Sequence, residues 1–317
     1  MNERLLDRRR FNALGATLGL TLPTISAMTL IQSPLLTAAR ATPRTAGPTV
    51  KLPDGTVVPA IGQGSWHLGQ GRHPAAVEEQ ALRTGISLGM TLIDTSEGYG
   101  GGRSEELIGH VIAGEHDRVF LVSKVDHATD IARACEASLR RLATDHLDLY
   151  LLHWPIRDAD LSAIVAAFEG LRAMGKIRAW GVSNFNVSDM EGLFRVPDGH
   201  QCATNQVRYS LNRRGIERDL LPWCERHSMP VMAYSPLGGD NNLLVSDPTL
   251  VRIGKTHDCT AAAAALAWAI RSGNVIAIPE SGSPAHVKEN AVALSLKLTP
   301  QDLEALDAAY PGPSSAN

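Results

Sequence analysis

The sequence predicts an α/β fold, a (β/α)8 TIM barrel preceded by an N-terminal β-hairpin. Eight short apolar segments between residues 60 and 281 alternate with stretches whose apolar residues recur at helical spacing. Just ahead of them, "VKLPDGTVVPAIG" alternates around Asp54-Gly55, a strong hairpin signal. The competing architecture is an open doubly wound sheet, which would carry Gly-x-Gly-x-x-Gly after its first strand to bind a dinucleotide. Here "GQGSWHLGQG" has its glycines at other spacings and no helix entry.

At 317 residues and 44% hydrophobic composition, the chain can bury one large core. Residues 1–41 stand apart, with five bases (Arg4, Arg8, Arg9, Arg10, Arg40) against two acids, Glu3 and Asp7. Arg8-Arg9, then Arg10-Phe11, then a modestly apolar run to Leu22 resemble a twin-arginine signal peptide, with Asp7 where Ser or Thr is usual. Ala39-Arg40-Ala41 offers an A-x-A cleavage pattern. The run holds Asn12, Gly15 and Gly19, ends at Pro23, and falls short of the about 20 apolar residues a bilayer requires. No stable membrane span is therefore expected. The resemblance implies handling by the twin-arginine export machinery and a periplasmic destination; a mere basic tail would leave the protein cytoplasmic. Residues 42–48 read as a linker and 49–317 as the barrel.

The formal charge of −3 conceals that division, because 25 bases and 31 acids lie beyond residue 41, a formal −6. Such a balance argues against nucleic acid or an anionic membrane as partner. Cys135, Cys202, Cys224 and Cys259 are dispersed, with no CxxC and no His/Cys cluster at metal-ligand spacing, so no metal is expected. Cys135 and Cys224 fall in helical stretches and read as buried thiols.

In order, the expected strands are "AIGQGSW", "TLIDTS", "VFLVSKV", "LDLYLLHWP", "AWGVSNF", "ATNQVRYS", "PVMAYSPL" and "VIAIPES". Between them, "DIARACEASLRRLAT" and "LSAIVAAFEGLRAMGK" have helical periodicity. Thr260 is placed to cap the start of "AAAAALAWAIRSG", and Gly273 its end.

Barrel chemistry gathers where strands end. "LIDTSEGYG" puts Asp94 at one strand end and Tyr99 in its loop, "LVSKV" contributes Lys124, and "LLHWP" contributes His153. Singly, each has a structural explanation: an aspartate capping a turn, a histidine satisfied in the core. Lys124 is harder to place, because a lysine within an apolar strand must be paired, and Asp94 on the neighbouring strand is the natural partner. A phenol beside an ammonium is a usable proton donor, since the cation favours phenolate and draws the Tyr pKa down from about 10. With Asp94 holding Lys124, and His153 steering substrate or phenol, the group suits protonation of a carbonyl oxygen while hydride reaches the carbon. None of the four is a hydride source, which points to a nicotinamide. Glycoside hydrolysis would need two carboxylates across the scissile bond, and only Asp94 is suitably placed.

These motifs, with "GVSNF", "NQVRYSL" and "AYSPLG", resemble the aldo-keto reductase family from about residue 50 to 311. The resemblance implies a catalytic tetrad of Asp94, Tyr99, Lys124 and His153. It further implies that Ser183, Asn184 and Gln206 bind the nicotinamide carboxamide and that Tyr234 stacks on its ring. Ser235, Leu237 and Gly238 match the loop along the pyrophosphate, and Trp66 and Trp154 match substrate-pocket aromatics. "QCATNQVRYSL", "RGIERDLLPWC" and "MPVMAYSPL" are similar to a bacterial branch that includes methylglyoxal reductases, which suggests small aldehydes, ketones or 2-oxoaldehydes as substrates. A nicotinamide-binding redox sensor or regulatory subunit on the same fold is the alternative, because such proteins can keep the tetrad.

One departure bears on the cofactor. In "IPESGSPAHVKEN", Glu280 and His286 stand where the family usually has a basic residue and an Arg gripping the adenosine 2′-phosphate. Ser281, Glu289 and Asn290 keep their types. NADP(H) or NAD(H) is expected, and Glu280, repelling a phosphate but able to accept from a ribose hydroxyl, weakens strict NADP use.

Overall fold

The computed structural model describes residues 47–127, 130–239 and 243–313. The twin-arginine-like segment lies outside the described residues. The hairpin forms as expected: β1 (Thr49–Lys51) pairs antiparallel with β2 (Val57–Pro59). Its connection is closed by Leu52 N donating to Thr56 O at 2.8 Å, while Asp54 accepts from Thr56 N at 2.8 Å. Gly55 takes φ +92°, a left-handed conformation that would strain any other residue.

Eight parallel strands follow in chain order: β3 (Gln63–Gly64), β4 (Leu92–Asp94), β5 (Phe120–Val125), β6 (Leu147–Leu152), β7 (Ile177–Ser183), β8 (Asn205–Arg208), β9 (Val231–Tyr234) and β10 (Val275–Ile278). Parallel bridges Ile61↔Ala277 and Gly64↔Glu280 join the first strand region to the last. At this seam Gly62 N donates to Ala277 O and Ala277 N to Ala60 O, both at 2.8 Å. The expected barrel is therefore present, though its first strand is shorter than "AIGQGSW" suggests. Ser65 lies just beyond the ladder, with its hydroxyl donating to Asp94 O at 2.8 Å.

A helix follows each barrel strand: α1 (Ala75–Ser87), α2 (Arg103–Ile112), α3 (Ile131–Leu142), α4 (Leu161–Ala173), α5 (Val187–Phe194) and α6 (Leu220–Arg226) come after β3 to β8. An additional α7 (Pro248–Thr256) precedes α8 (Ala261–Ala269), and α9 (Pro284–Ala291) and α10 (Pro300–Ala309) come after β10. Asp130, Asp160, Asn186 and Thr260 accept backbone N–H groups at their helix starts, each cap contributing about 1 kcal/mol. α8 is alanine-rich and buried on all sides, which explains its lack of a polar face. It stops at Ala269, earlier than expected; Gly273 instead closes the next turn at φ +77°.

Alternation along the strands decides which residues reach the barrel interior. Tyr150 of β6 and Trp180 of β7 pack outward on Phe168 of α4, with ring centroids 5.8 and 5.5 Å away. Burying aromatics of this size contributes about 2–3 kcal/mol each. The opposite faces of the strands carry Lys124, Ser183 and Gln206 inward. All four cysteines are free thiols, and burial pushes Cys135, Cys202 and Cys224 up to about 12.

Candidate active site

The centre of the site is a lysine with no exposed surface. Lys124, one residue before the end of β5, donates its three N–H groups to Asp94 Oδ2 at 2.7 Å, Thr95 O at 2.7 Å and Tyr99 Oη at 3.1 Å. Asp94, the last residue of β4, has its other oxygen occupied by Gln206 Nε2 at 2.7 Å. Burial alone would lower the ammonium's pKa, but Asp94 and Tyr99 more than offset it, and Lys124 is held above its ordinary value.

Tyr99 opens a short 3-10 turn, Tyr99–Gly102, in which Gly100 and Gly101 adopt φ +60° and +67° and lead the chain into α2. Lys124 does pull the phenol's pKa down, as expected, but it does not set the balance. Burial of Tyr99 outweighs the ammonium's pull, and the pKa lies above the usual value. The phenol therefore rests protonated.

His153 follows directly on β6. Its N–H donates to Val125 O at 2.9 Å, and its carbonyl accepts from Asn184 Nδ2 at 3.1 Å, so the backbone is held on both sides. The ring stacks on Trp154 at 5.3 Å and meets Tyr99 edge-on at 5.8 Å. Its Nδ1 is hydrogen-bonded to Asp126, a residue the sequence reading did not single out. A signal was present, because Asp126 lies two residues after Lys124 and so continues the same strand parity.

The residues expected around a nicotinamide ring come together on the far side of the rim. Tyr234 Oη donates to Asn184 Oδ1 at 3.0 Å, Asn184 Nδ2 to Ser183 Oγ at 3.0 Å, and Ser183 Oγ to Gln206 O at 2.8 Å. Asn184 and Ser235 adopt left-handed φ values of +64° and +50°, conformations usually kept where a site requires them. Burial raises the Tyr234 phenol as well. A cleft of about 440 Å³ opens above this floor, with Trp66, Trp154, Ser235, Leu237 and Glu280 in its walls. Gly239, rather than the expected Gly238, reaches its lining; Gly238 makes the tight turn itself, donating from N to Ser235 O at 3.1 Å. Ser281, His286, Glu289 and Asn290 follow around α9 and are not among the cleft-lining residues. Ser281 Oγ accepts from Ser283 N at 3.1 Å, and Asn290 is buried.

Glu280 is bound across the seam. Its carboxylate accepts from His67 N at 3.1 Å and lies 2.9 Å from His67 Nδ1. His67 in turn stacks on Trp66 at 4.3 Å. Arg208, at the end of β8, also lines the cleft and was not foreseen. A side chain at Gly239 would come within 2.5 Å of its guanidinium, so that glycine leaves the arginine room.

The donor set fits a dinucleotide. Amides and hydroxyls sit beside an aromatic ring, next to a backbone turn where Gly238 and Gly239 adopt φ +99° and +91°. The model of the aldo/keto reductase family matches residues 60–311. The chain belongs to the aldo/keto reductase family. This aldo/keto reductase is 49% identical over 263 residues to methylglyoxal reductase YeaE of Escherichia coli K12, covering 81% of this chain and 92% of that protein. An aldo/keto reductase from Klebsiella pneumoniae, solved in complex with NADP and acetate, is 48% identical with a TM-score of 0.82, covering 86% of this chain and 98% of that one. The thermostable aldo-keto reductase Tm1743, in complex with the inhibitor epalrestat, is 36% identical with a TM-score of 0.74, covering 82% and 98%. The protein is thus an oxidoreductase that reduces carbonyl groups by hydride transfer from a nicotinamide cofactor.

Proposed function

We propose that this aldo/keto reductase converts a small aldehyde or ketone, of the 2-oxoaldehyde class, to the alcohol with Tyr99 as the proton donor. The observation that carries this reading is the buried Lys124 ammonium, 3.1 Å from the Tyr99 hydroxyl and anchored by Asp94. NADH or NADPH supplies the hydride when bound, and Ser183, Asn184, Gln206 and Tyr234 are the residues to hold its ring. Tyr99, protonated at rest, gives its proton to the carbonyl oxygen as negative charge grows there. Lys124 then steadies the phenolate left behind, and Asp94 keeps Lys124 charged and aimed. Trp66 and Trp154 supply apolar walls, and the likeness to a methylglyoxal reductase supports a small dicarbonyl. Tyr99→Phe removes the acid and keeps the ring. Carbonyl reduction is expected to fall at least a hundredfold in this variant, with cofactor affinity within about twofold of wild type. Substantial residual turnover would refute the assignment.

The cofactor reading is that NAD(H) is accepted alongside NADP(H). Glu280 supports it by placing a carboxylate, engaged by His67, where the family resemblance leads one to expect a cation. Titrating NADPH and NADH against purified protein at fixed salt is expected to give affinities within a hundredfold of one another. A larger preference for NADPH overturns it.

Residues 1–41 act, in the same reading, as a twin-arginine signal, with 42–48 as linker to the barrel and the periplasm as destination. Arg8-Arg9, the following Phe11 and the Ala39-Arg40-Ala41 pattern support this. A route that carries folded proteins suits an enzyme that depends on a bound dinucleotide.

A further inference from the structure

We propose that Asp126 is a positioning residue for His153, fixing which ring nitrogen faces the substrate. The proposal rests on the reductase reading above and adds a residue to it. Asp126 Oδ1 is hydrogen-bonded to His153 Nδ1, and Ser96 Oγ lies 3.3 Å from that nitrogen and 3.4 Å from that oxygen. Ser96 Oγ accepts from Gly98 N at 3.2 Å, and Asp126 N donates to Glu97 Oε1 at 2.9 Å. Both partners are thus held from the β4–α2 loop. A side chain at Gly98 would stand 2.1 Å from Asp126 Oδ2, so the missing Cβ is what admits the carboxylate.

With Nδ1 committed to Asp126, Nε2 is the nitrogen left for the cleft that His153 lines. The carboxylate behind the ring fixes its orientation and tautomer, as an aspartate does for a catalytic histidine elsewhere. The hydrogen bond from His153 also holds the Asp126 carboxyl below the usual carboxylate range, which keeps the acceptor ionised through neutral pH. Other titratable groups near the pair are Tyr99 and Glu97 from the β4–α2 loop and His127 beside Asp126, with Glu105 and Arg141 beyond Glu97. Lys124 and Asp94 are already committed to each other.

Two single variants, their double variant and ring ¹⁵N spectra test this on the full-length protein. Asp126→Ala is expected to lower kcat for carbonyl reduction fivefold or more, with cofactor KM unchanged within about twofold. Gly98 has φ −75° and ψ −21°, which alanine adopts freely, so Gly98→Ala disturbs only the seat of the carboxylate. It should reproduce the loss, and the double variant should lose no more than Asp126→Ala alone. The ¹⁵N resonances of the His153 ring, assigned by their disappearance in His153→Gln, should shift in both single variants. A kcat loss below fivefold, additive losses in the double variant, or unshifted ring nitrogens would each overturn the proposal. If Asp126→Ala fails to fold, Gly98→Ala decides, because it leaves Asp126 in the chain.

Discussion

Lys124 shows how one buried charge can organise a site. All three of its protons are used, and the carboxylate it faces has a second donor in Gln206. Lys124→Met should therefore leave Asp94 buried with only an amide for company, costing about 3–5 kcal/mol of stability. Urea unfolding is the check, with a lower midpoint and an unchanged slope expected. The pH dependence has a definite sign. Because the folded Lys124 pKa is raised, the pair's contribution is fully present below the unfolded value of about 10.4 and is lost as pH rises through the higher folded value. The gap between wild type and variant should stay level from pH 6 to 9 and narrow only in the alkaline range. Tyr99 gives the opposite lesson about reading residues singly. A neighbouring ammonium is visible in the sequence, whereas the burial that outweighs it is not.

At the scale of elements, the barrel strands were legible because each is an apolar run bounded by turn residues, and their order followed from the alternation with helices. Asp94, Lys124 and His153 stood out for a related reason, since polar residues closing apolar strands are conspicuous, and Tyr99 was picked out in the loop by its spacing from Asp94. What escaped lies in loops and at element ends, where spacing says little about direction. Asp126 sits one residue past β5, and Glu280 just past β10; their partners depend on which neighbouring loop approaches. Glu280 was expected to repel a phosphate and accept from a ribose hydroxyl, and its observed partner, His67, lies 213 residues earlier. Gly238 and Gly239 are indistinguishable as letters, and only the turn geometry separates the one that bends from the one that lines the cleft. The early stop of α8 is similar, since nothing in Ile270-Arg271-Ser272 marks an end ahead of Gly273.

The whole chain divides by charge into a basic segment, residues 1–41, and an acidic remainder. If the first is a twin-arginine signal, Arg8→Lys with Arg9→Lys should strand the enzyme in the cytoplasm, as read by cell fractionation and immunoblotting. Unchanged export would refute that reading. The seam between β3 and β10 has a further, kinetic meaning. Contacts such as His67 with Glu280 join residues far apart in the chain, so the loop entropy of forming them is met late and they reward folding only at the end. During synthesis, a ribosome must have released residue 280 before the ring can shut. Until then the Trp66 wall of the cleft has no opposite side. In the proposed reading, dinucleotide binding would then serve as a report that the entire barrel has been made.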